Sequence, residues 1–80
     1  KILTKKGGQF MPLILAPENV ELTIIKVLLD DKLKKHLQDM GIAINGKITI
    51  LSKGNGSVIC IVKEGRVALD SNIATKIFVK

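Results

Sequence analysis

The run Gly41-Ile42-Ala43-Ile44-Asn45-Gly46-Lys47 has the spacing of a phosphate-binding loop. Such a loop cradles phosphate oxygens in backbone N–H groups, sets its lysine on the outer phosphates and follows it with a Mg²⁺-binding hydroxyl. Ile48 stands where that hydroxyl belongs. The direction is reversed as well. Phosphate meets a helix N-terminus when a strand runs into a helix, whereas here a helical pattern ends at Gly41 and a β-rich run begins near Lys47. Asn45-Gly46 therefore reads as a turn.

His36 and Met40 lie four residues apart, which would suit a soft or borderline metal ion, but one imidazole and one thioether do not make a site. His36 falls at the border of an apolar helical stripe and is expected at the surface. Cys60, in mid-strand between Ile59 and Ile61, is expected to act as a small buried hydrophobe. Ser52, Ser57 and Ser71 carry no nucleophile signature, and Asp30-Asp31 is better explained by helix capping than by paired acids. No catalytic residue, cofactor site or metal site is expected.

The densest basic cluster is Lys32, Lys34, Lys35 and His36. It is either a docking surface for an acidic partner or for phosphates, or simply a solvated helix face that Asp31 and Asp39 help to balance. Phe10 and Phe78 are the only aromatics, so no base-stacking platform exists. No nucleic-acid partner is expected. The alternative from that class is a small basic barrel that touches nucleic-acid phosphates alone.

The elements that position these residues must fit in 80 residues, enough for one domain. Thirteen Lys+Arg against seven Asp+Glu give +6. Lys1, Lys5 and Lys6 supply +3 of that from residues 1–10, a flank that reads as a remnant of cloning or a mobile extension ahead of Met11-Pro12. The domain is placed at residues 11–80. Ile, Leu and Val make up 28 residues, too many for a disordered basic tail. No apolar run reaches the ~18 residues of a membrane span, so no membrane insertion is expected, and a single cysteine without a signal peptide fits a reducing cytoplasm.

Residues 13–16, apolar and closed by Pro17, are predicted to be an edge strand or extended lead-in. Residues 22–29 read as a strand covered on both faces. Asp30 and Asp31 open the one confident helix, in which Leu33, Leu37 and Met40 recur on one stripe. Gly41 ends it in a Schellman arrangement with Ile42 facing Leu37. Residues 47–53 and 57–63 should pair about Gly54-Asn55-Gly56. Glu64-Gly65 turns into a third strand over residues 66–69, Asp70 caps one helical turn, and residues 77–79 close the set. Apolar groups on both faces of the meander predict a mainly β fold: a small curled barrel of five to six strands with one short α-helix, its second face partly covered by the helix or a partner. Exposed edges leave a homo-oligomer open.

The run Leu33-Lys34-Lys35-His36-Leu37-Gln38-Asp39-Met40-Gly41-Ile42, followed by Asn45-Gly46-Lys47-Ile48, resembles the FeoA family of ferrous-iron transport accessory proteins. Val67-Ala68-Leu69-Asp70, Ala74 and Ile77-Phe78-Val79 are similar to that family's closing segment. This chain has Pro17-Glu18-Asn19 where the family usually has a glycine turn, and Asp70 at a position that is often basic. The resemblance implies an SH3-like barrel without chemistry of its own. It further implies a cytoplasmic protein, recruited to the inner face of the membrane by a FeoB-like ferrous-iron transporter with a cytosolic GTP-hydrolysing domain.

On that reading the contact face is the helix and the loop after it. Lys32, Lys35, His36 and Asp39 would form the polar rim, and Met40 and Ile42 would add apolar contact if the barrel leaves them accessible. Similar domains also end iron-dependent repressors, but no DNA-reading helix pair fits within this chain. A metal-responsive regulatory domain is the remaining alternative, and it would need ligands from more than one chain.

Overall fold

The computed structural model describes residues 10–63 and 65–80. Six strands form one antiparallel sheet in the order β1-β6-β2-β3-β4-β5. They are β1 (Met11–Pro12), β2 (Glu21–Val27), β3 (Lys47–Gly54), β4 (Ser57–Val62), β5 (Gly65–Asp70) and β6 (Ile77–Val79). Helix α1 (Asp31–Asp39) fills the connection between β2 and β3, and the single turn α2 (Ser71–Ala74) carries the chain from β5 to β6. This is the SH3-like arrangement implied above. The last strand returns beside β2, and the sheet curls around one core.

The curl follows from alternation. Ile48 and Ile50 of β3, Val58, Cys60 and Val62 of β4, and Ile24 of β2 all point inward and are buried. Two irregularities bend the strands: the β2–β6 register shifts between Ile24 and Lys26, and the β3–β4 register shifts between Ile50 and Ser52. Each inserts an extra residue and increases local twist. The β3–β4 hairpin turns through Asn55 at φ 53° and Gly56 at φ 78°, the pair of positive φ values that a two-residue turn matching strand twist requires. The expected second turn involves Glu64, which lies outside the described residues.

Both helical caps form as the sequence predicts. The Asp30 carboxylate accepts from the Leu33 N–H at 2.9 Å, and Asp70 accepts from Asn72 N–H at 2.7 Å. At the end of α1, Ile42 N–H donates to Leu37 O at 2.8 Å and Gly41 N–H to Gln38 O at 3.0 Å, with Gly41 at φ 94°. These are the two bonds of a Schellman motif.

Three expectations are corrected. Residues 13–16 are not an edge strand. Leu13–Leu15 form a 3₁₀ turn closed by Ala16 N–H to Leu13 O at 3.0 Å, and the strand contribution moves forward to Met11–Pro12. A 3₁₀ turn eclipses positions i and i+3, so Leu13 and Ala16 enter the core together, which an extended segment would not allow. The helical stripe is also shorter than its period suggests. Leu37 is buried and Met40 packs against the core, but Leu33, one turn earlier, is 38% exposed.

Nor does α1 cover the meander's outer face, where Ile61 remains 42% exposed. In the first loop, where this chain has Pro17-Glu18-Asn19 in place of a glycine turn, Asn19 takes φ 62°, a region its short polar side chain tolerates. Phe10, counted in the flank by sequence, stands edge-to-face with Phe78 at a 5.8 Å ring separation. Residues 1–9 lie outside the described residues. Among the described residues no helix is long and apolar enough to cross a membrane.

Candidate functional site

The Schellman exit and the Asp30 cap fix both ends of α1, and its inward contact is confined to the C-terminal half. The remaining surface faces solvent. Lys32, Lys35, His36 and Asp39 are all exposed and, together with Leu33, line one open concavity of about 340 Å³. Spacings of three and four residues bring these side chains to one side of a helix. The polar rim named from sequence is therefore a contiguous surface. Its apolar centre is Leu33, which the periodicity had assigned to the core.

The other two named residues fall elsewhere. Met40 is half-buried against the core. Ile42 is 1% exposed, because position C″ of a Schellman motif is the one that folds back onto the helix, so it is unavailable for partner contact. On the loop side of α1 a smaller concavity of about 180 Å³ is lined by Val27, Lys34, Gln38, Ile42, Ala43 and Ile44. Ile44, 51% exposed, is the apolar residue that sequence reasoning missed. The available signal was its place just before Asn45-Gly46: the Ala43–Gly46 turn, closed by Gly46 N–H to Ala43 O at 2.9 Å with Asn45 at φ 73°, points its second residue away from the sheet.

That loop has little capacity for phosphate. The N–H groups of Gly41, Ile42, Asn45 and Gly46 donate to Gln38, Leu37, Ile24 and Ala43 carbonyls respectively, so four of the main-chain donors a phosphate cradle would draw on are already used. Lys47, where a phosphate-binding lysine would stand, donates from Nζ to Thr23 Oγ1 at 2.8 Å. A larger concavity, about 490 Å³, opens nearby between Glu21, Lys47, Ile61 and Lys63.

Cys60 is fully buried, and burial pushes its thiol up to about 11, so it stays protonated and inert at neutral pH. Among the described residues no three His, Cys, Asp or Glu side chains converge on a point that could hold a metal ion. Every buried side-chain polar atom among the described residues has a partner. What the surface offers is a charged helix face with an exposed apolar residue, Leu33, within it.

Comparison with known proteins bears on the fold and the family. The chain is similar in structure to an iron uptake regulatory protein, FeoA, with a TM-score of 0.80 and 19% identity over 90% of this chain and 97% of that one. It is similar to a FeoA-like protein from Clostridium acetobutylicum, with a TM-score of 0.75 and 19% identity over 89% and 85%. It is also similar to part of ScaR, seen with bound Zn²⁺, at a TM-score of 0.77 and 21% identity over 88% of this chain but only 36% of that one. These likenesses establish the fold. No curated protein matches the chain in sequence. The FeoA domain profile matches residues 11–80, essentially the whole folded unit, and the chain belongs to the FeoA family.

Proposed function

We propose that this FeoA domain is a non-enzymatic accessory module of ferrous-iron uptake. It docks through α1 and the following loop on the cytosolic, GTP-hydrolysing part of a FeoB-like membrane transporter and modulates passage of Fe²⁺. The observation that carries the reading is the family match over residues 11–80, joined to the gathering of Lys32, Lys35, His36 and Asp39 around exposed Leu33. A module of this kind needs no active site, only a rigid face. The caps at both ends of α1 provide that rigidity, and the positive rim suits an acidic partner surface. The working place of such a module is the cytoplasm, at the inner face of the membrane.

The test is a binding titration between the full chain and the partner's cytosolic domain, using a Lys32, Lys35 and His36 triple alanine variant. Those three side chains are exposed, so the variant should melt as the wild type does. Rim charges act mainly on association rate and salt dependence. The expected result is binding weakened about tenfold or more, with a flatter salt dependence. Binding equal to wild type removes this face from the proposal.

A further inference from the structure

The meander leaves one long strand edge open. β5 stands at the end of the sheet order, and its register with β4 runs without a break through all its residues, whereas β2 and β3 are both bulged. Ser71 N–H donates to Gly56 O at 2.9 Å, which sets the phase of that ladder. Val67 and Leu69 exchange their bonds with β4, while Arg66 and Ala68 turn N–H and C=O away from it, as Asp70 does its N–H.

Among the described residues no main-chain group pairs with that outward edge. Natural edges are blunted by charged side chains, lysine above all, by proline, a bulge or a covering element. Gly65–Asp70 contains no lysine, proline or bulge, and its two charges, Arg66 and Asp70, are of opposite sign. The opposite end of the sheet is different. It is the two-residue β1, and its Pro12 has no N–H to offer.

We propose that β5 is a self-association edge: two copies of this chain pair β5 with β5, antiparallel about a two-fold axis through Ala68. The register follows from face and charge. Shifting by an odd number of residues would turn one copy's core face outward. Of the registers that keep the faces, the one centred on Ala68 sets Arg66 of each copy opposite Asp70 of the other, with Ala68 against Ala68 between them. Arg66, Ala68 and Asp70 all project from the outer face, beside Ile61, Ile59 and Ser57 of β4. The joined sheet would thus carry Ile59-Ala68-Ala68-Ile59 across its centre, flanked by two Arg–Asp pairs. A contact of one strand on its own copy is isologous and closes at two, since β1 cannot extend the array. The inference stands apart from the transporter reading, which uses α1.

The contact is smaller than a standard interface, so association in the tens to hundreds of micromolar is expected. Sedimentation velocity on the full chain from about 5 µM to about 500 µM should show a monomer–dimer equilibrium. Arg66→Asp places like charges opposite each other twice and should raise the dissociation constant about tenfold or more. The swap Arg66→Asp with Asp70→Arg restores the pairing but also removes the Asp70 cap on Asn72 N–H, so its reference is Asp70→Arg alone, against which the swap should tighten association about tenfold or more. Ala68→Pro removes an outward N–H that β4 does not use and should abolish association, with circular dichroism confirming the fold; if it does not fold, the charge pair decides. A wild type that stays monomeric throughout, a dimer indifferent to Arg66→Asp, or a swap that associates no more tightly than Asp70→Arg alone overturns the proposal.

Discussion

Ile42→Ala distinguishes the two roles that a residue beside the candidate docking face can have. Ile42 lies at the hinge of the Schellman exit, 1% exposed and part of the same core as Leu37 and Val27. The substitution removes three carbons at ~0.8 kcal/mol each, or about 2.4 kcal/mol of transfer free energy. The cavity left behind brings the total to about 2–5 kcal/mol. A chain of this length has ~4–12 kcal/mol to lose. Since 1 kcal/mol moves the melting temperature of so small a domain by ~4–8 °C, a loss of about 3 kcal/mol lowers Tm by roughly 12–24 °C. Urea unfolding should give the same loss with an unchanged m-value. Partner binding, measured at a temperature where the variant is fully folded, should be close to wild type. A Tm shift below about 4 °C combined with lost binding would mean that Ile42 is read at the surface, and the core assignment would fail.

Cys60 should resist thiol-modifying reagents in the folded protein and react on unfolding. Its thiol is raised from 9.0 to about 11 by burial, so the native state holds a proton that the unfolded chain has released. The associated stability is complete below pH 9 and declines as pH rises toward 11, and flat stability across that window would refute the assignment. Asp30→Ala should cost ~1 kcal/mol by removing the 2.9 Å bond to Leu33 N–H, read as a lower urea midpoint; no change would mean the cap is not used. Gly46→Ala places a Cβ 2.9 Å from the Ala43 carbonyl oxygen, a backbone atom that cannot move aside cheaply, and should cost ~1–3 kcal/mol. A neutral result there would show that the Ala43–Gly46 turn relaxes.

The parts of the fold legible in the sequence are those dictated by local chemistry. Gly41 with Ile42 specifies the helix exit, Asn55-Gly56 the hairpin, Asp70 the closing turn, and each appears where its side chain or its φ requires it. The parts that were not legible depend on tertiary position. Whether Leu13-Ile14-Leu15 runs extended or coils is decided by which arrangement buries Leu13 and Ala16 beneath the barrel, and nothing within four residues states that. Leu33 has the period of a core residue, but the barrel ends before it reaches that turn of α1. The polar rim was readable because helical spacing alone puts Lys32, Lys35, His36 and Asp39 together, whereas its apolar centre was not.

The misplaced residues bear on function for a physical reason. A sequence whose local and global preferences agree everywhere would leave no large apolar group in water, so sites where they disagree are where a second surface is expected to fit. Leu33, Ile44 and Ile61 are three such sites, beside Leu15 and Leu28, and they do not lie together: the first two belong to α1 and its following loop, the third to the outer face of the meander beside the β5 edge. One face cannot serve both, and the charges divide the same way, with lysines and a histidine around Leu33 and a self-complementary Arg66 and Asp70 beside Ile61. On the proposed reading a positive rim takes a different, acidic partner, while an Arg–Asp edge is satisfied by another copy of itself. The two surfaces can therefore be occupied at once, and Arg66→Asp should weaken self-association about tenfold or more while leaving partner affinity per chain unchanged. Loss of both together in that variant would mean that partner recognition needs the dimer, and the separation argued from Leu33 and Ile61 would be wrong.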